Sequence, residues 1–313
     1  MIKPPLLKRG DTIGLLGPAS PLSDAGKLEP CVRRLEELGY RVVTGASATR
    51  AYGYLAGDDA TRAGDLNRMF ADPNIDAIAA IRGGYGAMRL LDRLDYAAAR
   101  ANPKILIGFS DITALHIAYG KCSDLITFHS PMPVGFFADG EQNPLSQNAF
   151  DRALKRAEPM GGVPSGYPLE TIAPGAAEGE LIGGNLSLIC ALLGTPYEPD
   201  TAGKILFIEE VGERVYSIDR MLTQLRLAGK LSECAGIVLG DFANCSGSMR
   251  GHDLPLRQVF EDILAPCGKP ILYGFSIGHC TPNVTLPLGA RARLDADART
   301  LTILEAAVSE CEA

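Results

Sequence analysis

A serine that could act as a nucleophile lies between a predicted strand and a predicted helix. Ser110 follows the apolar run KILIG and precedes the helical segment ITALHIAYGK. This placement would lift the hydroxyl above the sheet edge and direct the positive end of a helix dipole toward a developing oxyanion. Serine or aspartate at the start of a helix is also a common N-cap, so the pattern leaves that role open for Ser110 and Asp111.

A second serine matches the nucleophile-elbow pattern G-x-S-x-G more literally. It is Ser276 in GFSIG, whereas the turn around Ser110 reads GFSDI and lacks the second glycine. The elbow requires a helix after the serine, but Pro282 and Pro287 make a helix after Ser276 improbable. We therefore interpret Ser276 as a serine at a strand end and favour Ser110 as the nucleophile.

A serine nucleophile needs a base, and the chain has four histidines. His116 lies on the same predicted helix as Ser110 but should face away from it, and His252 lies in a polar loop. His129 and His279 both follow predicted strands. Either one could be the base, and either one could instead be a structural residue.

Carboxylates and glycines at other strand ends could complete a hydrolytic site. Glu209 ends the strand KILFI and could orient a histidine, while strand alternation should point Glu210 to the opposite side. The same acidic pair could instead form a solvated strand end. The glycine turn RGGYG, residues 82–86, follows the strand DAIAAI and could donate backbone N–H groups to a ligand oxygen or simply adopt positive φ.

The sequence lacks the common motifs for nucleotides and metals. It contains no G-x-G-x-x-G, no P-loop and no H-E-x-x-H, and its cysteines never form C-x-x-C. We therefore expect that the protein binds no cofactor and no metal.

The elements that must position these residues alternate between strands and helices. In the first half, apolar strands separated by helices indicate a parallel sheet covered on both faces. A Pro/Gly-rich segment follows, and then a second strand–helix alternation that ends in a predicted hairpin. We predict an α/β protein with a flavodoxin-like, nucleophile-bearing domain at 1–158, a linker at 159–176 and a second α/β domain of the swivelling β/β/α-like type at 177–313.

Composition limits the partners and the compartment. The 313 residues carry 30 Lys and Arg against 37 Asp and Glu, a formal net charge of −7, which is the opposite of a nucleic-acid-binding surface. Neither a secretory apolar region nor a run of about 18 apolar residues occurs, so we expect no membrane association. We interpret the eight cysteines as reduced thiols of a cytoplasmic protein.

Five segments, in order along nearly the whole chain, resemble motifs of the LD-carboxypeptidase family of serine peptidases. They are RGGYGAMRLL, KILIGFSDITALH, LIGGNLSLICALLGTP, ILFIEEVGERVYSIDRML and GHCTPNVTLPLGARARLD. The resemblance assigns the nucleophile of the G-[FY]-S-D turn to Ser110, the triad acid to Glu209 and the base of G-H-x-x-P-N to His279. It implies an oxyanion hole formed by the backbone N–H groups of Gly84 and Asp111. The family's usual E-D pair is E-E in this chain, which leaves the role of the second glutamate open.

The resemblance also implies the reaction and its setting. A cytoplasmic homodimer would release the terminal D-alanine of murein tetrapeptides by hydrolysing an L,D-amide bond through an acyl-enzyme. We expect Arg82 to bind the carboxylate of the substrate, with Gly83, Tyr85 and Asn185 as further substrate contacts.

Two alternatives stand beside this interpretation. Another branch of the family hydrolyses peptidyl nucleotides of the microcin C kind and stacks the base on aromatic side chains. This chain has no Trp and only 6% aromatic residues, which favours the murein branch. The other alternative is a two-lobed binding protein without catalysis, in which Ser110→Ala would affect no turnover.

Overall fold

The strands of the molecule pair into two separate sheets. The computed structural model describes residues 1–137, 142–246 and 253–310. The strands in these residues, in chain order, are β1 (Thr12–Leu16), β2 (Arg41–Thr44), β3 (Ala77–Ala80), β4 (Ile105–Gly108), β5 (Thr127–His129), β6 (Gly161–Gly162), β7 (Glu170–Ala173), β8 (Ala176–Asn185), β9 (Ile205–Val211), β10 (Gly236–Ala243), β11 (Ile271–Tyr273), β12 (Leu286–Leu288), β13 (Arg291–Asp295) and β14 (Thr300–Ile303).

Helices connect these strands. Several begin at the sites that capping chemistry favours: Asp58 accepts a hydrogen bond from the Thr61 amide, and Pro144 opens a helix behind the cap Asn143. The α-helices in the described residues are α1 (Leu28–Glu37), α2 (Asp59–Ala71), α3 (Tyr96–Ala101), α4 (Thr113–Ser123), α5 (Pro133–Phe137), α6 (Pro144–Leu154), α7 (Leu186–Ala191), α8 (Val215–Leu227), α9 (Lys230–Glu233) and α10 (Leu256–Ile263). None of the helices within these residues is both long enough and apolar enough to cross a bilayer.

The first sheet has the strand order β12-β5-β4-β3-β1-β2, and β1 to β5 run parallel. This is a doubly wound, flavodoxin-like order, and it confirms the predicted α/β fold. Every residue of β1, β3 and β4 is buried, because helices cover both faces of the sheet. The chain reverses direction across the sheet between β1 and β3, which is where such sheets place their ligands.

The second sheet has the order β6-β14-β13-β8-β9-β10-β11-β7. Its four central strands, β8 to β11, run parallel, and antiparallel strands flank them on both sides. The segment 159–176, expected to be a linker, supplies β6 and β7, which form the two outer edges of this sheet. Edge positions tolerate its many Pro and Gly residues, because one side of an edge strand needs no ladder partner.

The two halves of the chain interlock. Strand β12, from the C-terminal half, pairs antiparallel with β5 of the first sheet, with Leu286 opposite His129. Helix α4 packs against β8 and α7 of the second half. The Thr113 hydroxyl at the start of α4 accepts a hydrogen bond from the Asn185 amide at 2.9 Å. The helix that follows Ser110 is therefore held by both sheets.

Candidate active site

Ser110 occupies a strained turn at the end of β4. Its φ is +65°, a left-handed conformation that costs a non-glycine residue about 1–2 kcal/mol. The preceding Phe109 is extended, and a 3₁₀ turn, Ser110–Ile112, leads directly into α4. Gly108 makes this turn possible, because a Cβ at that position would lie 2.7 Å from the side chain of Ile112. The backbone geometry of a nucleophile elbow thus forms around Ser110 without the second glycine of the literal pattern.

One serine, one histidine and one glutamate meet at this turn. His279 Nε2 lies 3.0 Å from Ser110 Oγ, and His279 Nδ1 lies 2.7 Å from Glu209 Oε2. The carboxylate fixes the Nδ1–H tautomer, so Nε2 presents its lone pair to the serine hydroxyl. These three side chains come from the turn after β4, from β9 and from the segment after β11. The fold places them within hydrogen-bond distance of one another in the order serine, histidine, glutamate.

Close backbone packing supports the pair formed by Glu209 and His279. Gly278, directly before the histidine, has φ +123°, and a Cβ there would lie 2.6 Å from Glu209 Oε2. Glu209 is fully buried, and burial raises its pKa, while the hydrogen bond and the charge of His279 act in the opposite direction.

The glycine turn between Arg82 and Gly86 lies against the serine. A Cβ on Gly83 would lie 3.2 Å from Ser110 Oγ, and a Cβ on Gly84, whose φ is +103°, would lie 2.5 Å from Ser20 Oγ. Ser20 holds this turn by donating its amide N–H to the Gly83 carbonyl and accepting the Tyr85 amide N–H, both at 3.1 Å. Only residues without a side chain can approach the serine this closely.

Two charged side chains that the sequence analysis did not assign to this role hold the site's backbone. The Asp111 carboxylate accepts the Ala87 amide at 2.7 Å, and burial raises its pKa to about 6. Arg62 is fully buried in α2 and donates to the carbonyls of Pro18 and Gly86 at 2.6 and 2.9 Å. The sequence signal that could have identified Arg62 is its position among the apolar residues of α2. A 3₁₀ helix, Ala87–Arg93, starts at this tethered amide.

The predicted substrate residues lie in different environments. Arg82 lines the cleft beside His279 and donates to the Pro21 carbonyl at 2.7 Å, and Tyr85 is exposed and packs edge-on against Tyr54. Asn185 does not reach the cleft surface.

Asn185 is instead a buried structural residue. It is 3% exposed, it caps α7, and it donates to Glu210 Oε1 at 2.8 Å. Glu210 points away from His279 and also accepts hydrogen bonds from the amide and hydroxyl of Ser187. The open role of Glu210 is thereby resolved, because this carboxylate ties β9 to the start of α7.

His116, His129 and Ser276 lie outside the hydrogen-bonded group. His129 is fully buried and packs between the rings of Phe109 and Phe207, and its pKa is lowered well below the ordinary value by burial. His116 is buried with Nε2 against the Gly108 carbonyl at 2.9 Å. Ser276 is buried and accepts the Gly166 amide. His252 lies outside the described residues.

A cleft of about 650 Å³ opens beside the histidine. Its walls combine apolar side chains with a few charged groups, among them Phe109, Met132, Phe136, Arg82, Lys27 and Asp24. Ligand sites of this size are typically apolar with a few well-placed polar groups. Across the described ranges, no group of three or more His, Cys, Asp or Glu side chains is arranged to hold a metal ion. The contacts among Ser110, His279 and Glu209 form an arrangement that can attack a carbonyl carbon with a serine, using a base and a carboxylate.

Comparisons with known proteins agree with one another. Residues 13–130 match the LD-carboxypeptidase N-terminal domain, and residues 178–294 match the LD-carboxypeptidase C-terminal domain. The chain is 44% identical over 308 residues to the probable murein peptide carboxypeptidase of Bacillus subtilis, covering 98% of this chain and 96% of that protein. It is 30% identical over 328 residues to the microcin C7 self-immunity protein MccF of Escherichia coli, covering 95% and 94%. The crystal structure of muramoyltetrapeptide carboxypeptidase from Oxalobacter formigenes superimposes with a TM-score of 0.82 at 29% identity, covering 93% and 97%.

Proposed function

Because the chain belongs to the LD-carboxypeptidase family, and is a serine-type carboxypeptidase, we propose that it removes the terminal D-alanine from murein tetrapeptides. The observation that carries the proposal is the line from Glu209 through His279 to Ser110, with contacts of 2.7 and 3.0 Å. Such contacts lie within the range over which a base activates a serine. The similarity to murein peptide carboxypeptidases supports the choice of substrate.

The first half of the proposed reaction acylates the serine. Ser110 Oγ attacks the carbonyl carbon of the L,D-amide as His279 Nε2 takes the hydroxyl proton. Glu209 stabilises the resulting imidazolium, and the C–N bond breaks as His279 returns the proton to the departing amine of D-alanine. The second half repeats these proton transfers with water, which releases the shortened peptide and restores the serine.

Backbone amides stabilise the tetrahedral intermediate in this proposal. The amide of Asp111 follows the nucleophile, and the amide of Gly84 lies in the glycine turn that packs against Ser110. Removing one donor of an oxyanion hole costs about 10²–10³-fold in turnover in other hydrolases. The hydrogen bond from Ala87 to Asp111 holds the two donor segments at a constant separation.

Arg82 is the proposed anchor for the terminal carboxylate of the substrate. It lines the same cleft as His279, and it donates a hydrogen bond to the Pro21 carbonyl at 2.7 Å. A guanidinium binds a carboxylate through two parallel hydrogen bonds, which would explain selection for a free peptide end. Gly83 and Tyr85 remain proposed neighbours of the substrate.

The second candidate substrate is a peptidyl or aminoacyl nucleotide. The 30% identity to MccF over nearly the full length supports it. The composition of the chain opposes it, because no Trp and few aromatic residues are available to stack on a base.

One experiment separates these candidates. The protein is incubated with a murein tetrapeptide and, separately, with a peptidyl adenylate, and the products are identified by mass spectrometry. We expect loss of one alanine from the tetrapeptide alone, and none in Ser110→Ala. Cleavage of the nucleotide alone would overturn the choice of substrate, and equal turnover by Ser110→Ala would overturn the nucleophile. Binding of the tetrapeptide without any cleavage would support a non-catalytic binding protein instead.

The proposal extends to the assembly and the domains. We propose a cytoplasmic homodimer, as in the resemblance, and two domains that divide near 158 and 177. Sedimentation equilibrium tests the dimer, and fractionation of the producing cells tests the compartment.

A further inference from the structure

The position of the cleft relative to His279 indicates which part of the substrate it holds. His279 lines the cleft together with Phe109, whose ring packs edge-on against the imidazole with 4.9 Å between the centroids. In the proposed reaction, His279 returns a proton to the departing amine, and a general acid must lie within hydrogen-bond reach of the atom that it protonates. The departing amino acid therefore lies on the histidine side of Ser110, in this cleft.

The cleft is much larger than the amino acid that the proposed function places in it. Its volume is about 650 Å³. Clefts of about 300–1,000 Å³ enclose ligands of drug size, whereas the side chain of D-alanine is a single methyl group. With its carboxylate at Arg82, D-alanine would leave most of the cleft to solvent.

The wall beyond Phe109 is largely apolar. Ile81 and Val134 are buried, Met132 and Phe136 are half-buried, and all four line the cleft. A longer apolar side chain on the departing residue would remove this wall from water, and the gain grows with the apolar area that is covered. A methyl group covers little of it.

Several polar residues of the lining already bind the protein's own backbone. Asn283 Oδ1 accepts the Gly278 amide at 3.0 Å, and Ser146 Oγ accepts the Asn283 amide at 2.9 Å. Asn143 accepts an amide at the start of α6 at 3.0 Å. These groups have part of their hydrogen-bonding capacity engaged, so the cleft favours apolar over polar side chains on the ligand.

We propose that this cleft is a subsite for D-amino acids with long apolar side chains. The enzyme then releases D-methionine and D-leucine from the fourth position of the peptide at least as well as D-alanine. The inference rests on the proposed function, because it concerns the same L,D-amide bond and the same serine chemistry. Water cleaves the acyl-enzyme as before, and the products are the free D-amino acid and the shortened peptide. The carboxylate of the departing residue binds Arg82, and its side chain lies against Met132 and Phe136.

The first test uses the native chain and tetrapeptides that differ only at the fourth residue. That residue is D-alanine, D-methionine, D-leucine, D-glutamine or D-asparagine, and the last two match the apolar pair in length but are polar. We expect kcat/KM for the D-methionine and D-leucine peptides to equal or exceed the value for D-alanine. It should exceed the values for D-glutamine and D-asparagine about tenfold, because each apolar group buried in a pocket contributes at least about that factor.

A second test fills the cleft. Gly135 lies in α5 and lines the cleft, and a Cβ at this position would meet no atom within 4 Å. Gly135→Leu should therefore lower the ratio of kcat/KM for the D-leucine peptide to that for the D-alanine peptide at least about tenfold. Gly162→Leu is the matched control, because Gly162 lies on the edge strand β6 and also has no atom within 4 Å of a Cβ. It should leave the ratio and the release of D-alanine unchanged.

The outcomes separate this inference from the function on which it rests. Release of D-alanine together with D-methionine and D-leucine peptides that react more than about tenfold slower would overturn the subsite and leave the proposed function intact. An unchanged ratio in Gly135→Leu, with D-alanine still released, would also overturn it. So would a Gly135→Leu effect that follows the third residue of the peptide, because the cleft would then hold the acyl side. Failure to release any fourth residue would overturn the proposed function itself.

Discussion

At the scale of single residues, the candidate site depends on groups that are small or strained. Ser110 adopts a positive φ, and Gly83 and Gly278 lie where a Cβ would touch Ser110 and Glu209. Strained backbone at a reactive side chain persists only when the surroundings hold it in place. The hydrogen bond from the Ala87 amide to Asp111 is one such restraint.

Gly83→Ala should reduce activity without unfolding the protein. The added methyl group would lie 3.0 Å from Ser110 Cβ and 3.2 Å from Ser110 Oγ, so it would displace the hydroxyl from His279. We expect kcat to fall at least about tenfold, because small misplacements of reacting groups have large effects on rate. Steady-state kinetics on a tetrapeptide, with thermal unfolding in parallel, measures both. Gly64→Ala, whose Cβ in α2 would meet only the end of the Arg68 side chain at 4.0 Å, is the matched control and should remain fully active. A Gly83→Ala enzyme with native kcat would contradict the proposed packing.

Asp111 should make stability depend on pH. Burial raises its pKa from 3.8 to about 6 in the folded protein, so the folded state holds the proton more tightly than the unfolded state. The contribution of this group to the free energy of unfolding is therefore largest below about pH 4, falls as the pH rises to about 6 and is constant above that. In Asp111→Asn, which keeps an acceptor for Ala87, this dependence should vanish.

Urea unfolding of both proteins between pH 4 and 7 measures this dependence. The difference in unfolding free energy between the native chain and Asp111→Asn should change by up to about 3 kcal/mol in favour of the variant as the pH rises. Parallel profiles for the two proteins would show that the carboxylate is not destabilised in the fold.

At the scale of elements, two adjacent glutamates of β9 have different roles because their side chains point to opposite sides. Alternation along the strand directs Glu209 to His279 and Glu210 to Asn185 and Ser187 at the start of α7. One residue shift in the register of β9 against β8 and β10 would exchange these roles. The pairing of Asn185 with Glu209 in the β8–β9 ladder prevents such a shift.

Glu209→Gln and Glu210→Gln should therefore have opposite effects. The first should lower kcat by about 10²–10⁴-fold and leave the melting temperature nearly unchanged, because an amide removes the charge that stabilises the imidazolium. The second should leave kcat within a few-fold and cost about 1–3 kcal/mol of stability, because an amide nitrogen would face hydrogen-bond donors. Kinetics and urea unfolding on the two proteins provide the comparison. Equal losses of kcat would refute the division of roles.

At the scale of the whole molecule, the site exists only where two sheets meet. The serine comes from the first sheet, while the acid and the base come from the second half of the chain. The crossing strand β12 and the contacts of α4 with β8 and α7 hold these halves together. Alignment of the proposed triad therefore depends on the entire fold.

A fragment of residues 1–158 should not fold stably alone, although it contains five of the six strands of the first sheet. Without β12, the β5 edge is unpaired, and the apolar faces that contact Leu286, Leu288 and α7 are exposed. Such edges promote aggregation. Circular dichroism and gel filtration should show a molten or aggregated fragment, and co-expression with residues 159–313 should restore a soluble complex. A monomeric fragment that unfolds cooperatively near the melting temperature of the full chain would contradict this expectation.

The sequence by itself determined the α/β fold, most strand positions and the family. Strand β1 coincides with the apolar run TIGLL at residues 12–16, because local hydrophobic patterns and turn residues act over short distances. A similar local pattern argued against Ser276 as the nucleophile, because the prolines that follow it are incompatible with a helix. Short motifs also identified the three residues of the proposed triad, but their roles came from the resemblance.

Position at a strand end left both His129 and His279 open as the base, the family motif pointed to His279, and only the tertiary structure shows the contact. Burial between aromatic rings sets His129 apart, while His279 lies 3.0 Å from Ser110. The tertiary structure also decided that Asn185 is buried and that the segment 159–176 supplies the two edge strands of the second sheet. These outcomes depend on contacts between residues far apart in the chain. No local pattern encodes such contacts, because they arise only when the two sheets pack against each other.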